Sequence, residues 1–356
     1  MKEKTRNSSI ELLRIISMLM IILSHCCIHG LDSLSSKYFI NNFFTTVFFL
    51  GNLGVIIFML ITGYYTIESK FKLKKIIKLE LEVVFYSILF YFLCTLFFEK
   101  SKLFSFELIK SFFPIIFKKY WFISAYVSMY IFTPYINKLL HNISKNEYKK
   151  LIILCTFVAF FIPTFTTADI FFNELFQFFT FYIIGGYIRM YNIKINKKIT
   201  KALIISILMI LILSAIILFF SKSYPILYKY RTYFLNRNSI FVLIIAIGIF
   251  LLFLKIPFFT NKIINYISKT IFGIYLIHDN PNFRNIIFKK IFRINKFIDS
   301  SFLVLVLLIT TIIIFILSSL IEITRKKFFD KINDKISPYI ETKIINFISE
   351  KYKKGE

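Results

Sequence analysis

A charged pair and a histidine stand inside the first membrane-length apolar run of the chain. From Ile10 to His29 it reads IELLRIISMLMIILSHCCIH, with Glu11, Arg14 and His25 set among Ile, Leu and Met. Ionisable side chains at membrane depth are costly, so they mark a functional position facing the protein interior. Arg14 and His25 are eleven residues apart. On a helix that is about three turns, which brings both to one face roughly 16 Å apart along the axis. Glu11, three residues before Arg14, is placed to neutralise it. A histidine with an ordinary pKa near 6.5 can act as a general base at neutral pH, and an arginine below it can hold an anionic group. Taken singly, His25 also reads as a packed core histidine and Arg14 as a snorkelling anchor at the membrane edge.

Four further clusters could serve the same chemistry. Lys70, Lys72, Lys74, Lys75 and Lys78 follow the second apolar run, forming either a positively charged cytoplasmic loop or a cradle for phosphates. Within that run lie Gly51-Asn52-Leu53-Gly54-Val55 and Ile61-Thr62-Gly63-Tyr64-Tyr65. Their small residues allow close helix approach; alternatively Thr62 and Tyr64 line a polar path. Lys119-Tyr120-Trp121-Phe122 carries the single tryptophan, an interfacial anchor with a face on which a sugar ring can stack. Tyr275-Leu276-Ile277-His278-Asp279 closes the ninth run, either as interfacial polarity or as a second contributor to an acceptor site. His29 and His141 fall at the ends of runs and read as interfacial.

The elements that must position these residues are membrane helices. The chain is 57% hydrophobic and 19% aromatic, with a mean hydropathy of +0.71, far beyond what a soluble domain of 356 residues needs. A net charge of +26 would point to nucleic acid in a soluble protein. Here the lysines lie between apolar runs, where they set topology and meet anionic headgroups, and no soluble nucleic-acid module is present. Cys26, Cys27, Cys94 and Cys155 sit in apolar segments without disulfide or zinc spacing. The first run lacks a small-residue cleavage site and reads as an uncleaved helix.

Ten spans are expected, at about 10–29, 46–66, 79–98, 121–140, 150–166, 173–191, 202–220, 238–254, 264–279 and 301–322. The ninth is short enough to be broken or tilted. Lysine and arginine favour the segments on the N-terminal side, including the 192–201 loop, so both termini are expected in the cytoplasm. The fold class is thus all-α, a polytopic plasma-membrane protein of about ten transmembrane helices. Residues 103–117 read as an interfacial or re-entrant piece. From Thr324 onward, nine basic residues alternate with apolar ones at helical spacing. This divides the chain into a transmembrane domain, 1–323, and a basic amphipathic cytoplasmic tail, 324–356, resting on the lipid bilayer.

In combination these segments resemble the acyltransferase-3 family of bacterial integral-membrane O-acyltransferases, from about Asn7 to Asp279. Glu11, Arg14 and His25 match that family's first-helix signature. GVIIFMLITGYY resembles its second-helix motif, with Thr62 where Ser is commoner. Lys75-Ile76-Ile77-Lys78 takes the place of an Arg-x-x-Arg step, and YWFISAYVSMYIFTPYINKLL and IFGIYLIH resemble later helices. The resemblance implies transfer of an acyl group, usually acetyl, from cytosolic acetyl-CoA to a hydroxyl of a carbohydrate or lipid-linked glycan. His25 would be catalytic with Glu11 beside it in the signature. Arg14, Lys74, Lys75 and Lys78 would bind the acyl-CoA. Acceptor or oxyanion candidates are Thr62, Tyr64, Tyr65, Trp121, Tyr275 and His278. No permanently bound cofactor, metal or nucleic-acid partner is expected; a homo-oligomer is compatible with the sequence. Two other readings use the same charges. A lipid-linked saccharide flippase would hold an anionic headgroup in transit, and a non-catalytic scaffold would need them only to satisfy one another.

Overall fold

Asparagine starts several of the long helices. Its side chain takes up a backbone N–H left unpaired in the first turn: Asn7 accepts from Ser9, Asn173 from Leu175 and Asn196 from Ile199. The computed structural model describes residues 6–33, 35–99, 104–166 and 173–353. Among them there is no strand. Fourteen α-helices follow one another: α1 Ser8–Gly30, α2 Phe39–Val47, α3 Asn52–Thr66, α4 Leu73–Cys94, α5 Phe106–Phe112, α6 Trp121–Asn142, α7 Lys145–Thr156, α8 Ile162–Thr166, α9 Glu174–Met190, α10 Lys197–Phe220, α11 Ile240–Lys255, α12 Lys262–Ile267, α13 Ile271–His278 and α14 Leu303–Lys353.

Seven helical segments among the described residues are long and apolar enough to cross a membrane: Ser8–Gly30, Phe39–Thr66, Leu73–Phe98, Lys145–Thr166, Lys197–Phe220, Pro225–Lys255 and Leu303–Phe347. The protein is therefore an all-helical, multi-pass membrane protein. Of the ten expected spans, the other three are helical but shorter or more polar. α6 mixes its apolar residues with Ser, Thr, Asn and Tyr, and α9 has only 17 residues. The ninth expected span is broken by a tight turn at Ser268–Thr270, which separates α12 from α13. The expected re-entrant piece contains only the short α5; its first residue, 103, lies outside the described residues, as do 1–5 and 354–356 at the ends of the two expected domains. The 323/324 boundary falls inside α14, which runs for 51 residues without a stop.

α1 is the axis around which the site is built, touching α3, α11, α12, α13 and α14. Its first turn is fixed to the segment before α13. The Ser8 N–H donates to the Phe259 carbonyl at 2.9 Å, Ser8 Oγ donates to Asn265 Oδ1 at 2.9 Å, and the Asn261 N–H donates to Ser8 Oγ at 2.7 Å. α3 packs between α1 and α9 through glycines. A Cβ on Gly54 would press on the Ser17 carbonyl oxygen of α1, and one on Gly185 would press on the Leu60 carbonyl oxygen of α3. Small residues at such crossings let backbones meet where hydrocarbon supplies no hydrophobic drive. Because the obstructing atom is backbone, Gly185→Leu is expected to destabilise the bundle by about 1–3 kcal/mol. The measurement is the melting temperature in detergent, and an unshifted value would mean the two helices do not meet there.

The end of the bundle where α1 finishes is closed by Asp299. Its carboxylate accepts from Ser35 Oγ at 2.8 Å and from the Ser36 N–H at 2.9 Å. These bonds, that from Ser35 foremost, hold Asp299 below the usual carboxylate range. A carboxyl whose pKa is lowered by folding adds stability above its unfolded pKa, and that stability is lost as pH falls through the folded value. Asp299→Asn should therefore lower the melting temperature at neutral pH and make no difference in acid below that value. A gap that persists into acid would show that the charge is not responsible.

Candidate active site

A cavity of about 500 Å³ runs along α1. At the end where α1 begins it is lined by Arg6, Arg14, Lys269, Lys326 and Asp330; further along come Thr62, Trp121, Tyr126 and Tyr275, and then His25. Met18, Ile21, Val55, Phe58 and Phe272 make the intervening wall apolar. The face shared by Arg14 and His25 is thus the lining of a single cavity.

At its far end the histidine tautomers follow from the hydrogen bonds. His278 is fully buried, with Nδ1 2.6 Å from the Ile274 carbonyl oxygen. A carbonyl only accepts, so Nδ1 carries the proton, and Nε2 of the neutral ring is an acceptor. His25 Nδ1 lies 3.1 Å from that Nε2 and therefore donates to it. The lone pair of His25 is left on its Nε2, the atom a general base uses. Asp279 Oδ1 lies 3.7 Å from His25 Nδ1, 3.7 Å from His29 Nε2 and 3.3 Å from Arg284 Nη1. A carboxylate beside the ring favours the imidazolium that forms when His25 takes a proton. His25, His29 and Asp279 also place three ligand-type atoms within 4.8 Å of one another and could hold a metal ion, although Arg284 already meets the Asp279 charge.

The remaining expected residues divide by position. Tyr275 lines the cavity with a buried hydroxyl that interacts with the Asp279 carboxylate, a donor near the place where an oxyanion would develop. Thr62 lines the cavity too but donates to the Phe58 carbonyl at 2.9 Å. Trp121 is part of the wall, with the Arg237 guanidinium 4.3 Å from its ring centre. Glu11 lies 3.8 Å from both Arg6 and Arg14. It precedes His25 by fourteen residues, about 21 Å of helix, so it positions the arginines and does not reach the histidine. Tyr64 and Tyr65 fall outside this cavity: Tyr64 lies under Arg189 and the Tyr65 ring is exposed.

Lys74, Lys75 and Lys78 are not part of the lining either. The Lys74 N–H donates to Glu341 Oε1 at 3.1 Å, Lys78 pairs with Asp334, and Lys75 is exposed. Sequence reasoning missed the cations that do line the mouth, Arg6, Lys269 and Lys326, because they come from three separate elements. It also placed His29 at an interface, whereas the structure sets it beside His25 and Asp279. The four-residue spacing from His25 was the available signal.

A partly buried histidine whose hydrogen bonds leave Nε2 unprotonated thus lies at one end of a cavity whose other end is cationic, in a multi-pass helical protein. The acyltransferase-3 pattern, described as an acyltransferase domain, matches residues 7–320, and the chain belongs to that family of membrane acyltransferases. No curated protein and no solved structure is matched.

Proposed function

We propose that the protein moves an acetyl group from cytosolic acetyl-CoA to a hydroxyl of a cell-surface or lipid-linked polysaccharide at the plasma membrane. The observation that carries this reading is the single cavity joining Arg14 to His25. The end of the bundle bearing Arg6 and Arg14 faces the cytoplasm and admits the donor. His25 lies toward the other face, where a glycan arrives, and Trp121 offers a ring against which a sugar can stack.

His25 Nε2 takes the proton of the acceptor hydroxyl as its oxygen attacks the thioester carbonyl. His278 fixes the ring by accepting from its Nδ1–H, and Asp279 steadies the imidazolium. Charge building on the carbonyl oxygen is met by the Tyr275 hydroxyl in a site walled off by apolar side chains. Collapse of the tetrahedral intermediate breaks the C–S bond, and the proton passes from His25 to the departing thiolate sulfur. An ester and a free thiol result, with no net proton released.

The test is a proton NMR spectrum of surface polysaccharide from cells with and without the protein. An O-acetyl signal that depends on the protein supports the reading. Altered polysaccharide quantity with intact acetylation would favour the flippase instead.

A further inference from the structure

Three of the chain's four histidines meet at the end of the cavity where α1 finishes. His25 and His29 are one turn apart on α1, so the helix sets both rings on one face. The Phe288 ring stacks on His29 with centres 5.9 Å apart and holds its plane. Asp279, just past the end of α13, brings Oδ1 to 3.7 Å from His25 Nδ1 and 3.7 Å from His29 Nε2, and the three atoms lie within 4.8 Å of one another. Ligands of a tetrahedral zinc ion stand about 3.4 Å apart, so the two carboxylate–imidazole separations need to close by only about 0.3 Å. His278 adds a lone pair beside them. Its Nδ1–H is committed to the Ile274 carbonyl, and its Nε2 lies 3.1 Å from His25 Nδ1. The cavity reaches His25, which gives an ion a way in. Against the ion stand the other partners of Asp279, the Arg284 guanidinium at 3.3 Å and the Tyr275 hydroxyl.

We propose that His25, His29 and Asp279, with His278 beside them, bind a divalent zinc-type cation reversibly, and that the ion switches His25 off. Two imidazoles and a carboxylate are a donor set that zinc accepts with a position left open. In the ion-free ring His25 Nδ1 carries the proton and donates it to His278. To give its lone pair to the ion, Nδ1 must lose that proton, which is taken up at Nε2 through solvent. The ring stays neutral and no net proton is released. The His278 Nε2 lone pair, relieved of its donor, turns to the ion. His25 then presents an N–H to the acceptor hydroxyl where it had offered a lone pair, and it no longer acts as a base. Arg284 competes with the ion for Asp279, which makes occupancy reversible. Ion binding stands on the geometry of these side chains alone; the inhibition rests on the acyl-transfer reading.

The test is calorimetric titration of purified, tag-free full-length protein in detergent with zinc chloride, joined by an acyl-transfer assay on the same preparations. One ion should bind per chain. His29→Ala should weaken it by at least about tenfold, no less than the loss of an outer partner costs a metal site. Arg284→Gln should tighten it several-fold by freeing the Asp279 carboxylate, an opposite sign that a merely misfolded variant does not give. The remaining histidine, His141, is exposed on α6, and His141→Ala should leave zinc affinity unchanged. Zinc should slow transfer by the wild-type protein, a chelator should restore it, and His29→Ala should resist the inhibition. Absence of zinc binding, or affinity indifferent to His29→Ala, overturns the site and leaves acyl transfer standing. Zinc bound through His29 without slowing transfer overturns the switch, as does activity lost when a chelator strips the protein as purified. Zinc bound through His29 in a protein that transfers no acyl group upholds the site and overturns the reading on which the switch rests.

Discussion

His25→Ala lowers acyl transfer by about 10²–10⁴-fold, the range by which a positioned general base accelerates such a step, while coenzyme A affinity stays within about twofold of wild type. The split follows from geometry. In the proposed function the donor's phosphates sit near the start of α1 and only its reacting end meets His25, at the other end of the cavity. His278→Ala gives a smaller loss, on the order of tenfold, because it removes the acceptor that fixes the His25 tautomer and leaves the base itself in place. Turnover and titration on the same preparations check both. Equal losses for the two variants would show that His25 acts through packing and not through its lone pair.

Arg325→Leu produces the largest expected loss of stability. The Arg325 side chain is only 2% exposed and grips Glu322 with two hydrogen bonds, Nε to Oε2 at 2.8 Å and Nη2 to Oε1 at 2.9 Å. The same guanidinium lies 3.2 Å from Glu82, and the Tyr86 hydroxyl donates to Glu322 Oε2 at 2.7 Å. Glu322 is fully buried and fills the space that a side chain on Gly273 would need. Removing the arginine leaves the buried Glu322 with only Tyr86 and Lys326 beside it and the partly buried Glu82 without its cation, at a cost of about 3–5 kcal/mol. By contrast, breaking the exposed Lys110–Glu107 pair should change stability by less than about 1 kcal/mol. The check is folded yield and melting temperature in detergent. Arg325→Leu combined with Glu322→Leu should recover part of the loss, and no recovery would mean that the uncompensated charge is not its source.

How far the molecule could be read in advance depended on whether its signals were local. α1 was legible because Glu11, Arg14 and His25 stand out against an apolar background at spacings that a helix converts directly into a shared face. The contacts of α3 were foreshadowed by its glycines, which have few uses in a membrane helix except close approach. The mouth of the cavity was not legible, since residues 6, 14, 269 and 326 meet only once α1, α13 and α14 have packed. The lysines after α3 drew attention by density, which topology alone explains, and density says nothing about which face a side chain takes. Glu322 and Arg325 repeat the three-residue spacing of Glu11 and Arg14. They do not stand out because they straddle the point where an apolar run gives way to a basic stretch in the sequence, whereas α14 continues through it.

The proposed transfer uses one path that takes a donor in at the α1 start and delivers its acyl group near the opposite face. Inverted membrane vesicles from cells making the protein present the cytoplasmic face outward, and [acetyl-¹⁴C]acetyl-CoA added to them tests that path directly. Base-labile label is expected in the enclosed glycan of wild-type vesicles, and none in those carrying His25→Ala. Label appearing at the wild-type rate in the His25→Ala vesicles, or only when the donor is enclosed in the lumen, would contradict it.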